Sequence, residues 1–210
     1  MIAQRPLSVL RGLIKRFGPS RTKMRLWDQE FTTGHWDFID NTMGDCVYPY
    51  LERYSRNGRL LDLGCGPGNT ANELAASAYQ SYVGIDISEA ALQKGRKRSE
   101  TNGRGDKNRF ELGDFISYAP SQPFDVILFR ESMYHVPLKQ VKAMLLRYSN
   151  YLTDGGVFIV RMVTSRSNGT DNRRLKSMVD IIVQEFEVVE NRSDGNGGPT
   201  VVVFRPGRRA

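Results

Sequence analysis

Leu60–Thr70 reads LLDLGCGPGNT, and the reading of this stretch decides the fold. Leu60, Leu61 and Leu63 form the short apolar run expected of a strand buried on both faces. Gly64, Gly66 and Gly68 follow at alternate positions. A backbone that turns sharply and lets a ligand approach closely needs residues without a Cβ. Asn69 or Thr70 is placed to cap a helix over Ala71–Ala78. Strand, glycine turn and helix make a nucleotide-binding corner at the carboxyl end of a parallel sheet. The dinucleotide fingerprint wants a further glycine at position 69, where this chain has Asn69. No Gly-Lys-Ser/Thr follows, which excludes a phosphate-gripping P-loop.

Downstream, Tyr82–Asp86 predicts a second strand that ends in an acid, 24 positions after Asp62. A carboxylate there is suited to accept both hydroxyls of an adenosine ribose. Asp62 completes the pattern Asp-x-Gly-x-Gly-x-Gly, which resembles motif I of the class I S-adenosylmethionine-dependent methyltransferases, in their small, single-domain bacterial form. The resemblance implies a Rossmann-like, doubly wound α/β fold with a seven-stranded sheet, its last strand antiparallel. It also implies S-adenosylmethionine as cofactor and S-adenosylhomocysteine as product. Asp62, Gly64, Cys65, Gly66, Gly68, Asp86 and Ile87 are the expected cofactor residues. Arg109–Phe115 reads as a third strand and turn, and in this family an acid here accepts the adenine amino group while its neighbour packs on the ring. Asp114 and Phe115 occupy those positions. Only a donor amino group satisfies such a carboxylate, which selects adenine.

At 210 residues, with 40% hydrophobic and 25% charged content, the chain suits one soluble α/β domain. No run approaches the roughly 20 apolar residues of a membrane span, and no signal-peptide pattern is visible. Cys46 and Cys65 suggest neither a disulfide framework nor a metal site. A cytoplasmic setting is the expectation. The net charge of +7 is uneven. Arg5, Arg11, Lys15, Arg16, Arg21, Lys23 and Arg25 crowd an arm without acids, and Arg205, Arg208 and Arg209 end the chain. The rest is slightly acidic, so a broad nucleic-acid footprint is not expected.

Residues 1–57 form the expected helical arm and substrate cap, and residues 58–210 the cofactor-binding catalytic unit, in one domain overall. Leu7, Leu10, Leu13, Ile14 and Phe17 lie at helical spacing before Gly18-Pro19 stops the helix. Packing of this stripe on the domain is the first reading. Weak contact of residues 1–20 with an anionic membrane, peripheral to its inner face, is the second. Trp27-Asp28, Phe31, Trp36-Asp37 and Phe38 follow. This segment resembles the family's Trp-Asp-x-x-Phe/Tyr-x-x-Gly-x-Trp-Asp, which folds over the cofactor and helps form the substrate pocket; plain packing is the alternative. Residues 41–57 look helical, with Val47, Tyr50, Leu51 and Tyr54 on one face. Ser88 should cap a helix over Glu89–Thr101, whose basic face (Lys94, Arg96, Lys97, Arg98) reads as solvated.

Phe124–Phe129 is the fourth predicted strand, and Leu138–Leu152 a helix. Asp154-Gly155-Gly156 then turns into a fifth strand, Val157–Val163. A helix over 170–185 and strands Phe186–Arg192 and Thr200–Arg205 complete the order, joined by a turn at Ser193–Pro199. Arg130, Glu131, Tyr134 and His135 follow the fourth strand, at the sheet edge where α/β enzymes keep their chemistry. Methyl transfer needs a base only where the acceptor must lose a proton. His135 is the first candidate, with Glu131 and Tyr134 as alternatives. Trp27, His35, Trp36 and Arg161 are candidate substrate residues, and Arg130 could orient an anion or contact cofactor. No Asn/Asp-Pro-Pro-Tyr/Phe, paired glutamates or acid cluster points to nucleic-acid, protein-arginine or metal-dependent methylation. The expected reaction is O-methylation of a small molecule, or of a terminal sugar or lipid-linked group. Methylation of nitrogen or nucleic acid, and a non-catalytic cofactor-binding scaffold, are the alternatives.

Overall fold

A computed structural model describes residues 4–163, 169–195 and 197–207. Arg208 and Arg209 of the basic tail, and the side chains of residues 1–9, including Arg5 and Leu7, lie outside what is described. In chain order the elements are α1 (Gln4–Phe17), α2 (Ser20–Thr32), α3 (Tyr48–Ser55), β1 (Gly58–Leu63), α4 (Asn69–Glu73), β2 (Tyr79–Asp86) and α5 (Glu89–Thr101). Then come β3 (Asn108–Leu112), β4 (Phe124–Arg130), α6 (Leu138–Ser149), β5 (Leu152–Val163), α7 (Gly169–Glu185), β6 (Phe186–Ser193) and β7 (Pro199–Pro206). The strands form one sheet in the order β3-β2-β1-β4-β5-β7-β6. Five of them pair parallel, and β7 runs antiparallel to both β5 and β6. The strand order reverses beside β1, which puts the glycine turn at the topological switch point.

The leucine run of β1 is explained by the two cores it serves. Leu61 and Leu63 pack into a cluster with Ile127, Phe129, Phe158, Tyr148 and Met178. Leu60 points the other way, to Leu51, Tyr82, Val126, Leu128 and Leu92. Successive residues of a strand face opposite sides, so a central strand covered twice must be apolar throughout.

Several elements differ from their sequence-based outlines. The helix after the glycine turn is α4, one short stretch that ends at Glu73, with a turn of 3-10 helix over Ala76–Ala78. Neither Asn69 nor Thr70 caps it; Gly68, in the left-handed conformation at φ 71°, is the N-cap. Asn69 instead donates its side-chain amide to the Ile39 carbonyl and to Thr42 Oγ1, so it ties the aromatic segment to α4. β2 begins at Tyr79, whose buried hydroxyl donates to the Ala71 carbonyl or Asn108. Residues 41–47 are turns, and helix starts only at Tyr48 with Pro49 in its first turn. Ser88 does cap α5 by accepting from Ala91 N.

The face of α5 that reads as solvated is largely engaged. Lys94 donates to Asp37, Arg96 to Glu89 and the Phe110 carbonyl, and Arg98 to Glu73 and Asn69. At the start of α5, Asp28 Oδ1 accepts from Ser88 Oγ at 2.8 Å and Ala90 N at 3.1 Å. Both acids of the Trp-Asp pairs are thus clamps on α5, and both tryptophans are held where those clamps put them. The carboxylate near the helix N-terminus also meets the positive end of its dipole.

Packing of the α1 stripe is corrected. Leu10, Leu13 and Phe17 are 54%, 49% and 61% exposed, while Lys15 is turned inward. The cause is electrostatic. Glu30 of α2 is buried, and its carboxylate takes the Lys15 ammonium at 2.6 Å. A buried charge without a partner costs far more than a few exposed leucines.

Candidate active site

The site grows from the turn between β1 and α4. Gly64 N and Cys65 N both donate to the Ile85 carbonyl, at 2.8 and 3.0 Å, and so bind the turn to β2. Gly64 has φ +81°, and a Cβ there would lie 2.5 Å from Ser132 Cβ. Gly68 serves packing: a Cβ would strike the Phe110 ring at 2.7 Å and Gly95 Cα at 3.0 Å. The close helix approach that the dinucleotide fingerprint assigns to a glycine at position 69 is therefore supplied by Gly68 and Gly95. Gly66 is different, because a Cβ would meet only Phe31, at 3.8 Å. Room is left beside Gly66, roofed by a phenylalanine of α2.

Three acids stand at the carboxyl ends of β1, β2 and β3. Asp62 accepts the Tyr82 hydroxyl on Oδ2 at 2.8 Å, while its buried Oδ1 has no hydrogen-bond partner. Ser132 Oγ, beside Gly64, is likewise buried and unpartnered. Asp86 accepts from Gly66 N at 2.8 Å and Ser88 N at 2.9 Å. Burial pushes both carboxyls up to about 6, against the hydrogen bonds they accept. Asp114 accepts from Ile116 N at 3.0 Å and from two groups of α2, Ser20 Oγ at 3.1 Å and Lys23 Nζ at 3.5 Å. Phe115 lies within 3.6 Å of the position a Gly64 Cβ would take, and Ile87 is half-exposed past Asp86. Cys65 is buried, and burial drives its thiol well up, so it is an inert part of the wall.

The Asp86 carboxyl carries a pH dependence whose sign is fixed. A carboxylate accepts two hydroxyls, whereas its protonated form loses part of that capacity. Cofactor affinity should hold above pH 7 and fall as pH drops through about 6. Titration calorimetry with S-adenosylhomocysteine between pH 8 and 5.5 measures this (the range is set by the shift above). A flat profile would remove Asp86 from the ribose role.

The run after β4 is organised by an acid absent from the sequence-based site. Asp45, in the loop before α3, takes Arg130 Nη2 at 2.8 Å and Arg161 Nη2 at 3.1 Å. Arg130 also reaches Tyr48 Oη at 3.3 Å and Thr70 Oγ1 at 3.5 Å. Arg161 pairs in addition with Glu131. Arg130 and Arg161 are thus the two sides of one buried ion cluster. Glu131 sits in the left-handed region at φ 54°, unusual for a residue with a side chain. Burial raises its carboxyl above the usual range, in spite of Arg161. Tyr134 donates to the Val163 carbonyl at 2.7 Å.

His135 stands edge-on to Trp27, ring centroids 5.0 Å apart. Burial and the nearby cations Lys15, Arg16, Arg174 and Lys23 lower it to about 3. It is neutral at physiological pH and holds an added proton poorly. His35 is exposed and packs edge-on against Trp36 at 5.1 Å. Sequence reasoning also missed Lys23, Glu30 and the clamp role of Asp28. Lys23 and Glu30 carry no motif, and the Trp-Asp motif does not name the partner of Asp28: Lys23–Asp114, Glu30–Lys15 and Asp28–Ser88 meet across 15 residues or more.

One surface cleft lies at the opposite, amino edge of the sheet, lined by Gly58, Asp125, Thr153 and Gly156, where Asp125 already accepts from Arg59 N and Thr153 Oγ1. The carboxyl edge is covered by α1, α2 and the aromatic segment. Among the described residues no cluster of histidine, cysteine or acids could hold a metal.

Sheet order, antiparallel β7, glycine turn and the acid at the carboxyl end of each of the first three strands together define a class I methyltransferase fold. The chain belongs to the methyltransferase-domain family, whose model matches residues 54–195. The N-methyltransferase NodS from Bradyrhizobium japonicum, solved with S-adenosylhomocysteine, superposes with a TM-score of 0.66 at 17% identity, over 87% of this chain and 99% of that one. A Geobacter sulfurreducens S-adenosylmethionine-dependent methyltransferase, also with S-adenosylhomocysteine, gives 0.65 at 18% identity, over 85% and 98%. In sequence, the chain is 31% identical over 120 residues to 27-O-demethylrifamycin SV methyltransferase of Amycolatopsis mediterranei, 54% of this chain and 44% of that one. It is 36% identical over 115 residues to trans-aconitate 2-methyltransferase of Variovorax paradoxus, 53% and 41%. The chain spans less than half the length of these curated relatives. The cofactor of the family is S-adenosylmethionine, and the orphaned Asp62 Oδ1 and the space beside Gly66 fit it.

Proposed function

We infer that the protein transfers the methyl group of S-adenosylmethionine to a small molecule, at oxygen. The observation that carries the reading is the set of acids Asp62, Asp86 and Asp114 about the Gly64–Gly66 turn, with Asp62 Oδ1 buried and unpartnered. On this reading Asp62 takes the amino head of the cofactor, Asp86 its ribose and Asp114 its adenine amino group, with Phe115 against the ring. Cys65 and Ile87 shape the wall, and Gly68 allows the close packing behind it. Arg130 supports the floor through Thr70 and Asp45 and does not offer a free cation. When bound, the cofactor supplies an activated methyl group. The chain's own residues position the acceptor, exclude water and take its proton.

On this reading the arm and cap (1–57) recognise substrate for the catalytic unit (58–210), through Trp27, Trp36 and His35. The acceptor on this reading is a small molecule or the end of a larger one. Relatives named for an O-demethyl substrate and for trans-aconitate fit such an acceptor. On this reading Glu131 takes a hydroxyl proton, since the depressed His135 holds one poorly, and Tyr134 is the alternative. A labelled-methyl screen over hydroxyl, amine and sterol acceptors tests the reading. Glu131→Gln should lower turnover on a hydroxyl about 100-fold or more while cofactor affinity stays within about twofold. Loss of cofactor binding instead would make Glu131 structural. Transfer to amines alone would move the acceptor to nitrogen.

One observation favours a second property. Leu10, Leu13 and Phe17 form an exposed apolar stripe on the cationic α1. Among the described residues no helix is long and apolar enough to cross a membrane, so any contact is peripheral. Each Lys or Arg near an anionic surface contributes about 1 kcal/mol. The full chain should sediment with phosphatidylserine vesicles at low salt, and the Leu13→Glu/Phe17→Glu variant should not. Full-length protein that ignores the vesicles ends this reading, because screening is weakest there.

A further inference from the structure

The aromatic segment holds a cation that belongs to the chain itself. Lys15 Nζ lies 3.6 Å from the centroid of the Trp27 ring and 5.2 Å from that of Trp36. Glu30 Oε2 takes the same ammonium at 2.6 Å and the Trp36 Nε1–H at 2.8 Å. The two indole rings are 5.6 Å apart, Glu30 is 4% exposed, and the Lys15 side chain is 12% exposed. Two ring faces and one buried carboxylate make a box for an alkylammonium group, since each attracts a desolvated cation.

The box faces the reacting region. Phe31 stands between it and the glycine turn: its ring reaches to 3.8 Å from a Gly66 Cβ position and its centroid is 6.3 Å from Trp27. On the other side Trp27 touches His135, which follows β4. The box is one ring layer outward from the cofactor corner, where an acceptor must approach. Burial lowers the Lys15 ammonium against its pairing with Glu30, and after burial itself Lys15 is the first of the cations that lower His135. Arg11, at 4.0 Å from Glu30 and half-exposed, is the other cation within reach.

We propose that Trp27, Trp36 and Glu30 form a substrate subsite for an aliphatic ammonium group, and that Lys15 fills it as an internal stand-in until α1 moves aside. This rests on the methyl-transfer reading and deepens it: the acceptor molecule carries a primary or substituted amine as a recognition handle. Glu30 supplies the counter-charge, and the indoles reject a neutral group of the same shape.

The test uses the fact that the two tryptophans of the box are the only ones in the protein. Lys15→Ala empties the box and leaves Glu30 buried without its near partner. Added n-butylammonium chloride should then change the tryptophan emission saturably, and n-butanol or potassium chloride at the same concentration should not. Glu30→Gln in the Lys15→Ala background should weaken the response about tenfold. If Lys15→Ala is poorly folded, the same contrast is read in the melting temperature, which n-butylammonium raises and n-butanol does not. An equal response to both probes, or none to either, overturns the subsite. Loss of the butylammonium response with S-adenosylmethionine but not with S-adenosylhomocysteine overturns it too, because the box would then belong to the cofactor's sulfonium. Calorimetry of wild-type protein with S-adenosylhomocysteine is run alongside. Absence of binding there defeats the methyl-transfer reading while leaving the ammonium response to be judged separately.

Discussion

Asp86→Ala should lower the affinity for S-adenosylhomocysteine about tenfold to a hundredfold. Charge-assisted hydrogen bonds contribute roughly 1.5–3 kcal/mol, and the cofactor ribose would lose its acceptor. A second loss adds to the first. Asp86 accepts Gly66 N at 2.8 Å, so its removal also loosens the one glycine of the turn that has open space beside it. Folding should suffer less than binding. Two backbone donors lose a partner at about 1 kcal/mol each, but a carboxylate that burial disfavours is removed with them. The melting temperature should therefore fall by a few degrees, roughly 2–4 °C per kcal/mol at this chain length. Calorimetry and a thermal melt on the same preparation separate the two effects. Unchanged affinity would strike Asp86 from the cofactor site, and tight binding of a dinucleotide in its place would overturn the class of ligand.

Asp45→Ala should be the most destabilising single change at the carboxyl edge. The Asp45 side chain is 5% exposed and lies between Arg130, 10% exposed, and Arg161, 15% exposed. Removal of one member of a buried ion cluster leaves an uncompensated charge, which costs about 3–5 kcal/mol. Arg161 keeps the charged partner Glu131, whereas Arg130 keeps the uncharged Tyr48 and Thr70 hydroxyls. The stranded group is therefore Arg130. The double variant Asp45→Ala/Arg130→Met should recover part of the loss, and Asp45→Ala/Arg161→Met should recover less. Urea unfolding of the set measures this, and equal recovery by both would show that the two arginines share the acid evenly. The sign with pH follows from the lowered carboxyl of Asp45: burial alone would raise it, but the arginines and the Val47 amide outweigh burial. Its contribution to stability is present above the ordinary carboxylate range and is lost as pH falls through the lowered value.

The order of strands and helices was readable because it depends on local pattern. The leucines of β1 announce a central strand, and Gly64, Gly66 and Gly68 announce a turn, whatever they later touch. Element ends were less readable. Leu152 was counted with the helix before it but begins β5, because its pairing with Phe124 lies in the sheet. Asn69 looked like a cap by position, and its actual partners, Ile39 and Thr42, come from a loop about thirty residues earlier.

The positions of Asp62, Asp86 and Asp114 were legible by spacing, since each stands at the carboxyl end of a strand and the sheet sets where strand ends go. What surrounds them was not. Asp45 between two arginines, Glu30 beneath Lys15, and Asp28 on the start of α5 are meetings of residues far apart in the chain. The amphipathic pattern of α1 pointed its leucines inward, yet the helix turned Lys15 inward and left Leu10, Leu13 and Phe17 outside. Periodicity identifies the faces of a helix but not which one is buried. Here a buried glutamate and two indole rings decided it, and only the tertiary structure brings those three groups to one place, where a desolvated charge outweighs the burial of a few apolar side chains.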